Sequence, residues 1–509
     1  MKEKFNKFIH SKYSLISLVV LLILLVIATG TYAWFTWRST SNTSLTMNIG
    51  KLADVIFNSG NDISTSTLAP VYNYTDGEET TFSINNKDTS GTTLSYSVKL
   101  NITSIASELK STDLKYVLLK NDTIVQEGDF SSITTGSTTI YGDSISSSGT
   151  TNFIFYLYID GNSENNLSMM NKSLVGTITV EATDKEIFTT YLTNLYESAT
   201  KTTVTNNGKN YEYDTTHQLM KDLDGNIRYY ALYPNNYIYF NCSDYSNQSS
   251  STCELWRIIG VFDGKVKLIR NREIGGYPWD NKDASTGAEN DYGKNDWSDA
   301  SLMKLLNPGY ESETVGGSLY YNSGSGNCYS GSNNATTTCN FTSTGIKNDT
   351  TRNLIANTTY YLGGIDYVGT GSAVETYPNQ MYEYERGTTV YAGNPTTWQG
   401  KIALPYSSDY GYAADLQICS KQLRNYNDGT CTSNNWMTSI MTRSSNWLLN
   451  TPFGDASYVF FINNEGSFDA FDGYAAAPHG VVPVLYLNPY IIIKSGTGEV
   501  DNIYQLQVS

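Results

Sequence analysis

The 509-residue chain has few histidines, few charged residues and an excess of acid over base. Its three histidines, His10, His217 and His479, are too few and too scattered for a zinc site built from several histidines. Lysine and arginine total 33 against 49 acidic residues, and the net charge of -16 argues against a protein that mainly binds nucleic acid phosphates. Only 16% of residues are charged, whereas tyrosine and glycine each number 41, which is typical of a mainly β, turn-rich protein.

The N-terminus carries an export signal. Four lysines precede residue 13, and Ser14 to Trp37 then contains no formal charge. Its 14-residue apolar core, 15–28, is typical of a signal peptide and short for a membrane span of ~20 residues. Thr31 and Ala33 place small side chains where a signal peptidase reads the chain, so we expect residues 1–33 to be a signal peptide cleaved after Ala33. The alternative is an uncleaved membrane anchor, and both place the chain beyond residue 38 outside the cytoplasm.

All six cysteines lie beyond residue 240, in three pairs that are close in sequence. Export favours oxidation to disulfides, and proximity favours the pairing of neighbours, although sequence alone does not fix the connectivity. Ten or eleven residues separate the members of each pair, which does not match zinc-site spacing. The predicted disulfides are Cys242–Cys253, Cys328–Cys339 and Cys419–Cys431.

Period-two hydrophobicity predicts a β-sandwich over residues 38–184. Apolar residues alternate with polar ones at 94–102, 153–159 and 178–182, as in half-buried strands. Asn121-Asp122 lies between two apolar runs and indicates a hairpin turn. The stretch contains no cysteine, and we expect its acidic and hydroxyl side chains to form a solvated face.

Four short motifs stand out in the first part of the chain: TYAWFT at 31–36, MNIGKL at 47–52, FSINN at 82–86 and GTITVEAT at 176–183. With these motifs it resembles the TasA and camelysin proteins. This likeness implies a secreted β-sandwich of Gram-positive biofilm fibres, released by a dedicated signal peptidase, with subunits joined by strand donation. The resemblance therefore implies self-assembly through this domain, in which residues 34–37 add to a neighbour's sheet edge. The alternative is that these residues pair within their own domain.

Residues 185–208 predict a helical connector followed by a polar linker. Apolar residues at 187–188, 191–192 and 195–196 recur with the period of a helix that starts at Asp184 and packs on a domain. The rest of the chain, 209–509, predicts an α+β domain with long loops. Its clearest element is a hairpin at 255–269 that turns at Asp263-Gly264.

The larger domain resembles a family of exported Firmicutes proteins with a C-type-lectin-like fold, similar to formylglycine-generating enzymes. The resemblance rests on NWLLNTP at 446–452 and GVVPVLYL at 480–487. Val482 stands where the family has arginine, and the tryptophan motif is one residue longer here. The cysteine pairs do not map onto the copper-binding cysteines of those enzymes, so the resemblance implies the fold and not the activity. Some relatives are variable proteins diversified by retroelements, which raises the same possibility for this chain.

Residues 453–479 mix aromatic and short acidic side chains, a composition that suits a contact surface. In the C-type-lectin-like fold this segment faces the ligand, so the resemblance implies recognition of a protein or glycan. The alternative is that some of the aromatics, such as Phe461 and Phe471, fill the core. We expect His479 to be a loop residue rather than an acid–base catalyst. The candidate ligand-binding residues are Asp455, Tyr458, Phe460, Phe468, Asp469, Phe471, Asp472, Tyr474 and His479.

Two sets of acidic residues are candidates for metal binding or catalysis. The loop after Trp279 carries possible calcium ligands, but their spacing is not diagnostic, and we predict no required cofactor. Glu383 and Glu385 suggest glycosidase chemistry only if a cleft sets the separation of two carboxylates, and we expect a solvated strand face instead. The calcium candidates are Asp280, Asp283, Glu289 and Asp291.

The sequence therefore predicts a mainly β protein, an N-terminal β-sandwich followed by an α+β C-type-lectin-like domain. The predicted function is non-enzymatic: adhesin-like binding at the cell surface or in the biofilm matrix of a Gram-positive-type bacterium. Expected partners are a surface ligand, other copies of the sandwich and, if the N-terminal segment is retained, the membrane, but not nucleic acid. The alternatives are a purely structural fibre subunit and an extracellular carbohydrate-active enzyme.

Overall fold

The structure is a computed structural model, and its described part is mainly β, which confirms the coarse fold class. The chain divides into two compact units, residues 1–184 and 185–509. Ala33 and residues 34–37 lie outside the described residues. Within the described part, no helix is long and apolar enough to cross a membrane. The described residues are 70–85, 94–131, 133–146, 149–163, 166–169, 172, 174–183, 186–366, 376–470 and 473–508.

Two sheets make up the described part of the first unit. Its strands are β1 (Pro70–Val71), β2 (Glu78–Asn85), β3 (Leu94–Ile105), β4 (Leu114–Lys120), β5 (Thr123–Asp129), β6 (Gly136–Ile145), β7 (Thr150–Asp160) and β8 (Leu174–Thr183). One sheet has the order β7–β4–β5, with β1 and β2 both paired to β7, and the other has the order β6–β3–β8. The two sheets share a single hydrophobic core.

The alternating sequence pattern marks this core. Val98 and Leu100 of β3 are buried together with Phe155 of β7, so inward residues of both sheets meet. The other face of β3, at 95–99, is also buried, which the alternating pattern does not predict. The hairpin between β4 and β5 turns at Asn121-Asp122, where positive φ angles of 48° and 65° suit short polar side chains.

The second unit contains seven short helices and twenty strands among its described residues. The helices are α1 (Phe188–Glu197), α2 (Ser301–Leu306), α3 (Asp349–Leu354), α4 (Pro378–Glu385), α5 (Ser407–Tyr412), α6 (Gly429–Thr432) and α7 (Thr438–Met441). The first strands are β9 (Lys201–Asn206), β10 (Lys209–Asp214), β11 (Leu219–Lys221), β12 (Ile227–Tyr229), β13 (Tyr237–Phe240), β14 (Glu254–Phe262), β15 (Lys265–Arg270), β16 (Gly276–Pro278), β17 (Ser325–Tyr329) and β18 (Thr336–Asn340). The others are β19 (Thr358–Tyr361), β20 (Thr397–Gly400), β21 (Ile402–Ala403), β22 (Asn446–Trp447), β23 (Phe461–Ile462), β24 (Phe468–Asp469), β25 (Pro478–Gly480), β26 (Val484–Tyr486), β27 (Ile492–Ser495) and β28 (Gln505–Gln507).

A nine-stranded sheet organises this unit. Its order is β21–β26–β15–β14–β12–β11–β10–β9, and β13 pairs with β14 as well. The predicted hairpin is present as β14 and β15, joined at Asp263-Gly264 with φ angles of 47° and 70°. A second sheet has the order β16–β25–β22–β23–β24 and carries the segment with the candidate ligand-binding residues.

Residues 185–208, expected as a connector and linker, lie inside the second unit. Phe188, Leu192 and Tyr196 of α1 are buried in its main core, so the helix packs as its apolar stripe predicts. The helix starts at Phe188 rather than at Asp184. The polar stretch after it forms β9, which pairs with β10 and so satisfies backbone groups that a free linker leaves to water.

The six cysteines form three disulfides, Cys242–Cys253, Cys328–Cys339 and Cys419–Cys431. This is the pairing that the sequence spacing favours, and no cysteine is left free. Disulfides of this kind are typical of proteins that fold outside the cytosol.

A cluster of buried charges joins the large sheet to α5. The Asp409 carboxylate accepts hydrogen bonds from Lys267 Nζ of β15 at 2.5 Å and from Arg228 Nη1 of β12 at 3.3 Å. Arg228 Nε also donates to Asp222 at 2.6 Å. Every side chain in this cluster is at most 1% exposed. Burial alone raises the pKa of Asp409, but the charges of Lys267 and Arg228 outweigh burial, and the pKa is lowered.

Asp409→Asn is expected to lower the free energy of unfolding by about 3–5 kcal/mol, because buried Lys267 loses its anionic partner and buried Arg228 loses one of its two. Urea denaturation of the full chain measures this loss. The matched control is Asp299→Asn, which weakens the pairs of a half-exposed carboxylate with Lys304 and Lys282 and is expected to cost at most about 1 kcal/mol. Equally small losses in both variants contradict a stabilising role for the cluster.

Candidate functional site

Two of the candidate ligand-binding aromatics belong to the core. Phe460 and Phe468 are 1% and 5% exposed, and their ring centroids lie 4.6 Å apart. Both belong to the main hydrophobic core of the second unit, so the prediction that they contact a ligand is corrected. Phe461 is also buried, as the alternative allowed, whereas Phe471 and Asp472 lie outside the described residues.

His479 is a packing residue in β25 rather than a loop residue. It lies opposite Tyr277 of β16. Its ring stacks on Phe461 at 4.7 Å and meets Trp447 edge to face at 4.3 Å. These contacts occupy the imidazole faces and fix β25 against its neighbours.

Three tyrosines form a stack at the surface, which we call the tyrosine ladder: Tyr292, Tyr474 and Tyr458. The rings of Tyr292 and Tyr474 are 4.4 Å apart and nearly parallel at 23°. The rings of Tyr474 and Tyr458 are 4.7 Å apart, and the Tyr458 hydroxyl donates to the Tyr474 hydroxyl at 3.0 Å. Tyr292 is 48% exposed, while the other two are half-buried. The structure thus brings two of the candidate residues together and adds a third that sequence reasoning missed.

Backbone hydrogen bonds align the three segments that carry the ladder. Val459 N–H donates to Gly473 O at 2.8 Å, and Ala476 N–H donates to Tyr292 O at 2.9 Å. Gly293 follows Tyr292 with a φ of 86°, and an added Cβ there would lie 2.4 Å from Asp280 O. The chain therefore needs glycine at this turn to hold Tyr292 against Tyr474.

One buried amide fixes the loop beneath the ladder. Asn295 is 2% exposed. Its Nδ2 donates to the carbonyl oxygens of Asp455 at 2.7 Å, Pro452 at 3.0 Å and Tyr458 at 3.1 Å. A single side chain thereby ties residues 452–458 to the loop that carries Tyr292.

Carboxylates lie around the ladder. Asp455 is half-buried, and its Oδ1 accepts the Ser457 N–H at 2.8 Å. The exposed Glu289 accepts a hydrogen bond from the Tyr391 hydroxyl. This bond is the main cause that raises the pKa of Tyr391, and the negative charge of Asp455 adds to the rise. Asp469 lies elsewhere, on β24 opposite Phe461.

A narrow polar cleft adjoins Asn295. Trp279, Trp297, Asn394 and Leu449 are among its lining residues, and its cavity volume of about 10 Å³ holds about one water molecule. Trp297 Nε1 and Asn394 Oδ1 are buried without a hydrogen-bond partner among the described residues. The residues that carry this donor and this acceptor both line the cleft.

Two of the four calcium candidates, Asp280 and Asp283, accept hydrogen bonds within their own loop and from the start of α2. Asp280 is fully buried, and it accepts from Lys282 Nζ at 3.0 Å, Lys294 N–H at 2.9 Å and Ser301 N–H at 3.1 Å. Asp283 accepts from the Ser285 hydroxyl at 2.6 Å. No group of three or more histidine, cysteine or acidic side chains is placed to hold a metal in the part of the chain that is described.

The expected solvated strand face at Glu383 and Glu385 is wrong, because these residues lie on helix α4. Glu383 is exposed, whereas Glu385 is buried and accepts from Ser408 N–H at 2.7 Å and Ser408 Oγ at 2.5 Å. Positions i and i+2 of a helix point in different directions, so the two carboxylates do not face one another. Burial raises the pKa of Glu385 to about 7, although Arg386 and Ser408 oppose the rise.

Glu385→Gln is expected to remove a pH-dependent loss of stability. The folded protein keeps a proton that the unfolded chain releases between the ordinary pKa of 4.5 and about 7, so stability falls as the pH rises through this window. The loss is about 3 kcal/mol at ~1.4 kcal/mol per pKa unit. Urea denaturation on both sides of the window measures it in the wild type, in the variant and in the exposed control Glu383→Gln. Parallel pH curves for all three contradict the prediction.

Asn295→Ala is expected to cost about 1–3 kcal/mol of stability, because it leaves three carbonyl oxygens without their donor. Hydrogen exchange should accelerate at residues 452–458 in particular. Asn290→Ala is the control, since its side chain donates to Ser457 Oγ at 2.8 Å and accepts from Tyr292 N–H at 2.9 Å, and its loss leaves no carbonyl oxygen of the loop without a donor. Unchanged exchange in this loop would show that the amide does not hold it.

No known family model and no curated protein match the chain. Among solved structures, a family 35 carbohydrate-binding module from an environmental isolate is 14% identical, with 25% of this chain and 80% of that chain covered and a TM-score of 0.15. The CUB1-EGF-CUB2 domain of human MASP-1/3 is 15% identical, with 42% and 72% covered and a TM-score of 0.14. Neither likeness is close enough to assign a fold family or a function.

Proposed function

We propose that this chain is an exported, adhesin-like binding protein whose second unit presents the tyrosine ladder to a ligand on a cell surface or in an extracellular matrix. The observation that carries the proposal is the exposed Tyr292, stacked on two further tyrosines and held by backbone bonds. A tyrosine side chain offers a large contact area and loses little conformational entropy when it binds a ligand. A ring that is already held in position loses even less.

The chemistry around the ladder suits a protein or glycan ligand. Tyrosine faces contact apolar surface, while Glu289 and Asp455 offer oxygen acceptors to hydroxyl or amide groups. The cleft at Trp297 and Asn394 adds one buried donor and one buried acceptor, which favours a ligand that inserts a small polar group. We propose recognition rather than turnover, and the burial of Glu385 supports this choice.

The resemblances extend the proposal to the architecture. For the second unit we propose a C-type-lectin-like fold, supported by the burial of Trp447 and Leu448 in one motif and of Leu485 in the other. For the first unit we propose a TasA-like sandwich that serves assembly or attachment, supported by its two sheets around one core. The three disulfides support a location outside the cytoplasm.

Replacing Tyr292 and Tyr474 together by alanine is expected to weaken ligand binding at least about tenfold, because aromatic anchors carry most of the energy of such contacts. Binding of the full mature chain to glycan arrays and to intact bacterial and host cells measures this. The control is Tyr233→Ala, which removes a tyrosine that is 76% exposed but outside the ladder.

Undiminished binding by a correctly folded double variant rules out the ladder as the contact surface. If the wild type binds nothing and still forms fibres, the structural fibre subunit becomes the better account.

A further inference from the structure

Arg257 of β14 is a buried cation without an anionic partner among the described residues. The residue is 3% exposed, and its Nε donates to Asn236 Oδ1 at 2.5 Å. Its Nη2 is buried and has no hydrogen-bond partner in the described part of the chain, and no carboxylate contributes to its electrostatic environment. Nη2, at the outer edge of the guanidinium, is therefore left unsatisfied.

Other cations on the strands of the large sheet are paired with carboxylates. Arg228 and Lys267 are paired with aspartates. Arg270, on the neighbouring strand β15, holds both oxygens of Glu254, at 2.9 Å and 3.1 Å. A buried charge that lacks such a partner carries a large desolvation cost. Burial accordingly lowers the pKa of Arg257 to about 10, which still leaves the group protonated at neutral pH.

The surroundings of Arg257 form a built site. The ring of Tyr237 lies 3.8 Å from the guanidinium carbon and the ring of Trp436 lies 4.9 Å from it. Trp436 is fixed by its Nε1, which donates to Tyr229 O at 3.0 Å, and Asn236 is fixed by its Nδ2, which donates to Ile258 O at 2.8 Å. A ring that stacks on a guanidinium covers its face. The N–H groups point outward in the plane of the guanidinium, so a hydrogen-bonding partner must approach its edge. Tyr237 is only half-buried, so the site borders the surface.

We infer that Arg257 forms a binding site for a carboxylate, whose two oxygens accept from Nη1 and Nη2. A carboxylate is planar and matches the spacing of the two terminal nitrogens, and such bidentate pairs are among the strongest hydrogen-bonded contacts. The carboxylate comes either from a small organic acid or from the C-terminus of a peptide. The site is distinct from the tyrosine ladder in its residues and in the charge of its ligand.

Thermal unfolding of the full mature chain tests the inference. The melting temperature is followed in rising sodium acetate, with sodium chloride keeping the ionic strength constant, and in a short peptide with a free or an amidated C-terminus. A ligand that binds only the folded state raises the melting temperature in a saturable way. Saturation by acetate assigns the site to small acids, and saturation by the free-ended peptide alone assigns it to chain ends.

Three variants locate the effect. Arg257→Gln should abolish the saturable rise in melting temperature. Arg257→Lys should weaken binding at least about tenfold, because lysine keeps the positive charge but lacks the two terminal nitrogens that bind both oxygens of a carboxylate. Arg270→Gln is the matched control and should keep the rise, because that arginine is already occupied by Glu254.

The absence of a saturable rise in the wild type overturns the inference, as does an equal rise in Arg257→Gln. If Arg257→Gln does not fold, tryptophan fluorescence titrations of the wild type and Arg257→Lys decide, and equal affinities of these two proteins overturn it.

Discussion

Asp409 links elements of the second unit that are far apart in sequence. Its carboxylate binds Lys267 of β15 and Arg228 of β12, while its own helix, α5, covers that part of the sheet. Phe262 and Tyr412 lie 4.5 Å and 4.6 Å from the guanidinium carbon of Arg228, so the charges are held in an aromatic shell. In such surroundings a misplaced helix leaves buried charges unpaired, and this cost favours a single arrangement of α5 on the sheet.

Hydrogen bonds of Leu449 and Asn450 connect the chain that leads into the candidate site with the segment before α5 and with Gly363. Leu449 N–H donates to Pro405 O at 3.0 Å, just before the helix, and Asn450 Nδ2 donates to Gly363 O at 2.9 Å. The chain then continues directly into the loop 452–458 that Asn295 holds. Tyr458, at the end of this loop, is therefore held in place with it, which helps to pre-align the tyrosine ladder.

Local patterns predicted local structure well. The turns at Asn121-Asp122 and Asp263-Gly264 and the apolar stripe of α1 follow from backbone preference and periodicity, which the sequence displays directly. Only part of the candidate site can be predicted from sequence patterns. The composition of residues 453–479 marks Tyr458 and Tyr474 as candidate ligand-binding residues. Composition does not distinguish aromatic side chains that point into the core from those that point outward, so it also marks the buried Phe460.

What sequence could not provide depends on contacts between distant segments. Tyr292 lies more than 150 residues before Tyr458, in a loop that attracted attention only for its acidic residues. The Tyr292-Gly293 dipeptide in that loop is the signal that the sequence offers. Glu385 was misjudged for a related reason, since its short apolar-acidic alternation fits a strand, whereas burial against Ser408 and the proline at the start of α4 favour a helix.

Whether the tyrosine ladder contacts a ligand is the central question. Hydroxyl-radical footprinting of the full mature chain, free and bound to intact cells, measures the protection of individual tyrosines. The account predicts that Tyr292 and Tyr391 become protected on binding while Tyr233 is labelled equally in both states. Binding without any change in the labelling of Tyr292 would contradict it.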